Sequence, residues 1–271
     1  MGTSRDLGKH NILGVCVDAV DYEAAEERVL AAAHQNRPFA GTALAVHGVM
    51  SGVSDLRQRY RLNHLDLVTP DGQPVRWALK LLHRIELQDR VYGPALTLRL
   101  LRRAADEEVP VYFYGSREAV LISLVDNLRK LFPTLLVAGT EPSKFRPVTV
   151  RERREIALRI AASGAHVTFV GLGCPRQETF VYEFRPLLDM PLLAVGAAFD
   201  YLAGTLKPPP AQLQDAGLEW LWRLALEPRR LWRRYVLLNP TYMGLLGAQA
   251  LGLWHPDPSG VAPASDVAVA A

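Results

Sequence analysis

The stretch from Val167 to Phe180, VTFVGLGCPRQETF, constrains the fold more than any other part of the chain. A β-branched and aromatic run, Val167 to Val170, has the composition of a buried strand. It breaks at once into Gly171-Leu-Gly173-Cys-Pro175-Arg-Gln177-Glu178, after which the sequence reads as helix. A strand that passes through glycines into a helix is where α/β proteins bind ligands: glycine lets the backbone approach a phosphate, and a helix start presents unpaired N–H groups and a positive dipole end. Gln177 offers an amide suited to a base, a ribose or a sugar hydroxyl, and Glu178 an acceptor for one. A tight strand-to-helix turn without a ligand satisfies the same pattern, so the remainder of the chain has to decide.

Taken in order, Asn11 to Val20 reads as a strand, and Asp21 to Gln35 as an amphipathic helix with an acidic first turn. Ala40 to Val49 is a second strand ending in Val46-His47-Gly48, and Ser54 to Leu62 is a polar helix. His47 falls beside a glycine near a strand end, within reach of a ligand, although a lone histidine serves equally as a hydrogen-bonded structural residue. Leu65 to Val68 is a short strand, and Thr69-Pro-Asp71-Gly-Gln-Pro74 turns into the helix Val75 to Leu82. Asp71 has two readings: a helix-start residue that steadies the turn, or a carboxylate at a strand's C-terminal end placed to take a proton from a hydroxyl. Arg90-Val-Tyr-Gly93-Pro is a further turn with a cation and a glycine, able to hold a phosphate or simply to open the helix Ala95 to Glu107.

Val111 to Tyr114 is then a strand ending at Gly115-Ser116, followed by the helix Arg117 to Phe132, the strand Leu135 to Ala138, a looser segment from Gly139 to Val148 and the charged helix Arg151 to Ser163. After the central strand, Leu192 to Val195 opens into Gly196-Ala-Ala-Phe199-Asp200-Tyr-Leu-Ala-Gly204. Strands alternating with helices of about 10–15 residues specify an α/β fold, a mostly parallel sheet with helices on both faces, Rossmann-like in plan.

Composition narrows the class. At 49% hydrophobic and 22% charged the chain is globular and long enough for a large core. Two distant cysteines, Cys16 and Cys174, make neither a disulfide framework nor a zinc cluster, and suit a reducing cytoplasm. The polar start MGTSRDLGKH and the lack of any run of 18 apolar residues argue against a signal peptide and a spanning helix. A net charge of +3 is too small for a general nucleic-acid binder. The sequence carries no signal for oligomeric state.

From Leu206 the composition changes. Lys207-Pro-Pro-Pro210 stops regular structure, and the following stretch brings Trp220, Trp222 and Trp232 together with Arg223, Arg229, Arg230, Arg233 and Arg234. Residues 1–205 thus read as an α/β core, 206–245 as a basic, tryptophan-rich appendage, and 246–271 as a disordered tail. Arginine with tryptophan on short helices suits a docked helix, a clamp for a diphosphate, or a surface at anionic lipid headgroups. Five arginines against Glu219 and Glu227 exceed what docking needs and favour an anion role.

Five of these pieces, in order across residues 11–245, together resemble one family. They are Thr69-Pro-Asp71-Gly72-x-Pro74, Arg90-Val-x-Gly93, Gly171-x-Gly173-x-Pro175-x-Gln177-Glu178, Gly196-x-x-Phe199-Asp200-x-x-Ala-Gly204 and Gly217-Leu-Glu219-Trp220-Leu-x-Arg223-Leu-x-x-Glu227-Pro-Arg229-Arg230. The chain is similar to the WecG/TagA/CpsF glycosyltransferases. The resemblance implies transfer of a sugar from a UDP-sugar to a polyprenyl-diphosphate-linked acceptor at the inner face of the membrane, with inversion at the anomeric carbon, no cofactor and no dedicated metal site. It gives Asp71 the role of general base and Gln177 that of a substrate-binding amide. His47, Arg90, Gly93, Gly115, Gly171, Gly173, Pro175, Glu178, Phe199, Asp200, Arg229, Arg230, Arg233 and Arg234 fall at candidate substrate positions, the arginines on an appendage that closes over the site and meets anionic lipid. Ala43, Ala45 and Ala95 depart from the family, whose better-known members carry Thr, Asn and Asp there, and alanine has no side-chain hydrogen bond to offer.

Elementary chemistry agrees: a sugar transfer needs a base for the acceptor hydroxyl and positive charge for the departing diphosphate. A dinucleotide-binding redox protein is the competing class, but its G-x-G-x-x-G fingerprint is missing, since Arg176 stands at its last glycine. A catalytically silent UDP-sugar-binding scaffold is the third, distinguished by UDP binding without turnover.

Overall fold

The computed structural model describes residues 4–207, 209–210, 213, 218–264 and 269–270, the side chains at 219, 223, 230, 233, 234, 269 and 270 excepted. The chain opens with an antiparallel hairpin, β1 (Asp6–Ile12) and β2 (Val15–Val20). The sequence pattern reads one strand here; a turn at Leu13 and Gly14, both at positive φ, splits it, and the Asn11 side chain accepts the Gly14 N–H at 2.7 Å. Helix α1 (Tyr22–His34) follows, its first turn capped by the Asp21 carboxylate on the Ala24 N–H.

Six parallel strands form the sheet: β3 (Phe39–Leu44), β4 (Leu67–Pro70), β5 (Val111–Gly115), β6 (Val137–Glu141), then β8 (Val167–Gly171) and β9 (Pro191–Ala194) after the two-residue strand β7 (Pro147–Val148). Their spatial order is β4-β3-β9-β8-β5-β6. Between them run α2 (Val46–Ser54), α3 (Leu56–Asn63), α4 (Gln73–His83), α5 (Gly93–Asp106), α6 (Glu118–Leu131), α7 (Val150–Ala162), α8 (Arg176–Phe184) and the short α9 (Ala198–Leu202). The α/β reading of the sequence therefore stands.

Two apolar cores, one on each face of the sheet, hold the layers together. One gathers residues of the hairpin with α2, α4, α7 and α8, including Phe180 and Phe184 stacked at 3.8 Å. The other gathers α1, α5, α6 and α9 around Phe113, Phe169 and Phe199. Helices α6 and α8 thus cover opposite faces, although they leave from the neighbouring strands β5 and β8. At such a reversal the two connections part and leave a crevice beyond the strand ends, where open α/β sheets bind ligands.

Helix α2 starts earlier than the sequence suggests: the strand ends at Leu44 and the chain turns helical at Val46. Glycine is a poor helix former, so Gly48 and Gly52 hide this turn from a propensity reading. Packing overrides propensity, because a Cβ on Gly48 would come within 2.2 Å of the Leu44 side chain.

Beyond residue 217 the chain forms the helices Glu219–Leu226 and Pro228–Arg233, one π-helical turn Arg234–Leu238, and the helix Asn239–Ala250. The last docks on the core: Tyr242 and Leu246 are buried, and the Tyr242 hydroxyl donates to the Pro74 carbonyl at 3.1 Å. The expectation of a disordered tail from residue 246 is corrected here for residues 246–264; residues 265–268 and 271 lie outside the described residues. Asn11 and Arg59 side chains donate to the carbonyls of Pro256 (2.8 Å) and Asp257 (3.0 Å), and the Val261 N–H donates to Leu56 (3.0 Å). Side chains from distant elements hold this segment, which has no periodic pattern of its own to reveal it.

Candidate active site

The C-terminal ends of β3, β4, β5, β8 and β9 open into one cleft of about 740 Å³. Its geometry begins with two glycines in register. Gly115, at φ +111°, faces Gly171 on the next strand; a Cβ there would stand 2.7 Å from the Gly171 carbonyl oxygen. A Cβ on Gly171 would in turn stand 2.5 Å from the Phe199 ring. Both strands can end side by side only because neither residue has a side chain.

This contact corrects the reading of Phe199 as a substrate residue. It is 1% exposed, lies edge-on to Phe113 at 5.7 Å, and supports the sheet from beneath Gly171. The neighbouring Asp200 does line the cleft and accepts from the Thr205 hydroxyl at 3.1 Å.

Asp71 sits directly after β4 and lines the cleft. Its own N–H donates to the Leu44 carbonyl at 3.3 Å, which ties it to the end of β3, and its Oδ1 accepts the Gly93 N–H at 3.4 Å. A Cβ on Gly93 would approach Asp71 Oδ2 at 3.7 Å and Ala43 at 3.1 Å, so the small residue there leaves room beside the carboxylate. Arg90 also lines the cleft; it is 6% exposed and its guanidinium lies over the Tyr92 ring at 4.6 Å. His47, in the first turn of α2, and the alanines Ala43 and Ala45 face the same space.

At the floor, Gln177 and Glu178 begin α8. The Gly173 N–H donates to Gln177 Oε1 at 3.1 Å, and Gln177 Nε2 donates to Glu178 Oε1 at 2.9 Å. Thr42 of β3 donates to the same carboxyl oxygen at 3.0 Å. Complete burial pushes the Glu178 carboxyl above the usual carboxylate range, against the opposing effect of these hydrogen bonds.

Of the other expected residues, Gly171, Gly173 and Gly196 line the cleft, while Gly93, Gly115 and Pro175 stand outside its lining, next to residues that do. Arg229 is exposed and outside the cleft lining. The side chains of Arg230, Arg233 and Arg234 lie outside the described residues. The appendage nevertheless supplies a wall, with Trp220, Glu227, Tyr235, Leu238 and Asn239 lining the cleft and Trp220 within 5.7 Å of the Tyr235 ring.

Two cations escaped the sequence reading. Arg117 precedes α6 and Arg176 opens α8, both exposed, both lining the cleft, and among the described residues neither is paired with a carboxylate. The signal for Arg117 was the glycine-bearing strand end Gly115-Ser116, read only as far as the glycine. Among the described residues no three His, Cys, Asp or Glu side chains come together as a metal site, and no helix is long and apolar enough to cross a membrane.

This arrangement agrees with what the chain is similar to. An N-acetylglucosaminyldiphosphoundecaprenol N-acetyl-beta-D-mannosaminyltransferase of Bacillus spizizenii is 34% identical over 183 residues, covering 67% of this chain and 68% of that protein. The protein of the same name from Bacillus subtilis is 30% identical over 182 residues, covering 67% and 68%. Residues 10–256 match the family described as Glycosyl transferase WecG/TagA/CpsF, a span that takes in the whole sheet, the cleft and the docked C-terminal helix. The chain belongs to the WecG/TagA/CpsF family of glycosyl transferases.

Proposed function

We propose that the protein transfers an N-acetylhexosaminyl or hexosyl group from a UDP-sugar to a polyprenyl-diphosphate-linked saccharide, in the synthesis of a cell-surface polymer. The observation that carries this reading is the sharing of one cleft by a backbone-held carboxylate, Asp71, and three core arginines, Arg90, Arg117 and Arg176. Both Bacillus relatives are named as transferases acting on a diphosphoundecaprenol-linked sugar, which supports the acceptor class.

In the proposed reaction the Asp71 carboxylate takes the proton of the acceptor hydroxyl, whose oxygen attacks the anomeric carbon from the face opposite the leaving group. The bond from that carbon to the UDP oxygen breaks, its electron pair leaves on the diphosphate, and the configuration inverts. Arg117 and Arg176, at the starts of α6 and α8, meet the developing charge together with backbone N–H groups, so that no divalent cation is required. The Gln177 amide binds donor or acceptor. The appendage closes the outer wall and rests on anionic lipid at the cytoplasmic face of the membrane, where the polyprenyl acceptor resides.

A nucleotide-sugar screen by calorimetry and thermal shift tests the donor. A UDP-sugar at a hundred times its dissociation constant adds about 2.7 kcal/mol of stability, and a chain that binds no uridine nucleotide overturns the reading. The second reading, a silent UDP-sugar-binding scaffold, draws support from Ala43 and Ala45, which give the cleft no side-chain hydrogen bond on β3. UDP binding without turnover on any polyprenyl-diphosphate acceptor selects it.

A further inference from the structure

Glu178 is a buried acid that the proposed reaction leaves unused. It is 1% exposed, and its Oε1 accepts from both Gln177 and Thr42. The Cys174 thiol is a further hydrogen-bond partner of the carboxyl. Such a group is costly to bury as an anion, and the causes that act on its titration are burial and hydrogen bonds rather than a neighbouring cation.

The amide of Gln177 is oriented without ambiguity. A backbone N–H can only donate, so the atom that faces the Gly173 N–H is the amide oxygen, and the nitrogen must face Glu178. Nε2 has two hydrogens and gives one to Glu178. Gln177 lines the cleft, and at Gly196 only a hydrogen occupies the place where a Cβ would stand 3.5 Å from Nε2.

We propose that Glu178 is a positioning residue: held by Thr42 of β3, it grips one N–H of Gln177 so that the amide is presented to the substrate in a single orientation. The same hydrogen bonds join β3, the Gly173 turn and α8 into one rigid floor. Glu178 also borders the cleft, but in this reading it acts through Gln177 rather than as the direct acceptor of its sequence reading. The inference rests on the functional reading only for the identity of what Gln177 meets; the grip itself is a property of the apoprotein.

Two measurements test it. In the first, amide hydrogen exchange by nuclear magnetic resonance follows the Gly173 N–H in the full chain. Protection falls in Glu178→Ala, where Gln177 is released, and stays close to the parent in Glu178→Gln, whose side-chain oxygen still accepts from Gln177 and Thr42. Unchanged protection in Glu178→Ala overturns the proposal, whatever the substrate proves to be. In the second, a double-mutant cycle on UDP-sugar turnover compares Gln177→Ala, Glu178→Ala and the pair. Glu178→Ala alone lowers kcat/KM by roughly 10- to 100-fold, and adds nothing once Gln177 is alanine, because both substitutions remove one interaction. Additive losses, or a Glu178→Gln variant as impaired as Glu178→Ala, overturn it. A parent that binds no UDP in calorimetry refutes the functional reading separately and leaves the exchange measurement to decide the grip.

Discussion

The floor of the cleft and its outer wall are built by opposite means. On the floor, Asp71, Gln177, Glu178 and Thr42 are each held by named hydrogen bonds, two of them from backbone N–H groups, between strands buried on both faces. The wall comes from the segment 218–239, which contributes Trp220, Tyr235 and Asn239 to the cleft yet turns large apolar side chains outward, with Trp232 at 47%, Val236 at 57% and Leu237 at 59% exposure. Rigid placement suits the groups that must meet reacting atoms. An outward apolar strip suits contact with a surface. Under the proposed function, chemistry and location are divided between the two regions.

The largest effect is expected on the floor. Asp71→Asn keeps the shape of the residue and its hydrogen bond to Gly93 while removing the base, and turnover falls by about 100-fold or more with UDP affinity near the parent value. Full turnover in that variant removes Asp71 from the mechanism. Phe199→Ala tests whether the floor depends on the packing beneath it. Loss of the ring under Gly171 costs about 3–5 kcal/mol of stability in denaturant unfolding, and a loss well under 1 kcal/mol means that the two glycines need no support.

The wall is tested without deleting it, since Tyr242 and Leu246 make the following helix part of the core. Replacing Trp232, Val236 and Leu237 together by serine leaves the fold intact and weakens flotation with anionic vesicles by at least about 100-fold, as each large apolar side chain fully withdrawn from water is worth about 1.5–3 kcal/mol and these three are partly exposed before contact. Transfer to a soluble acceptor analogue stays close to parental. Unchanged flotation refutes the surface contact, and lost transfer to the soluble acceptor shows that wall and floor do not divide their work.

A smaller effect concerns pH. The folded Glu178 carboxyl titrates above its unfolded value of about 4.3, through burial. Its contribution to stability is accordingly complete below that unfolded value and is lost as pH rises through the folded one. The parent loses this increment over that window, whereas Glu178→Gln does not, so their unfolding free energies differ in slope. Parallel slopes mean that burial does not raise the Glu178 carboxyl in the fold. Gln177, Thr42 and Cys174 hydrogen-bond to it and oppose that rise. Smallest of all is the response to a chelator: with arginines meeting the diphosphate, transfer continues unchanged in excess EDTA, and a loss restored by magnesium refutes that part of the mechanism.

Much of this was legible in the residues themselves. Strand and helix alternation announces the parallel sheet because periodicity and β-branching are local properties, and the turns at Asp71, Gly93, Gly171 and Gln177 show themselves through glycine and proline, whose backbone preferences need no tertiary context. What lay beyond the sequence depends on approach across distance. The reversal between β5 and β8 places Arg117 and Arg176 in one cleft, though 58 residues of chain (176 − 117 = 59 positions apart) separate them. Phe199 and Glu178 sit in motifs that read as ligand contacts, yet one ring fills the space that Gly171 leaves and one carboxyl is buried and hydrogen-bonded to Gln177. The C-terminal segment carries no pattern, and contacts from distant elements, among them the side chains of Asn11, Arg59 and Asn63 and the Leu56 carbonyl, determine where it lies. A sequence specifies which backbone turns are permitted and which groups are available; which side chain ends in water, in the core or in the cleft is decided when the layers close and each polar atom must find its partner.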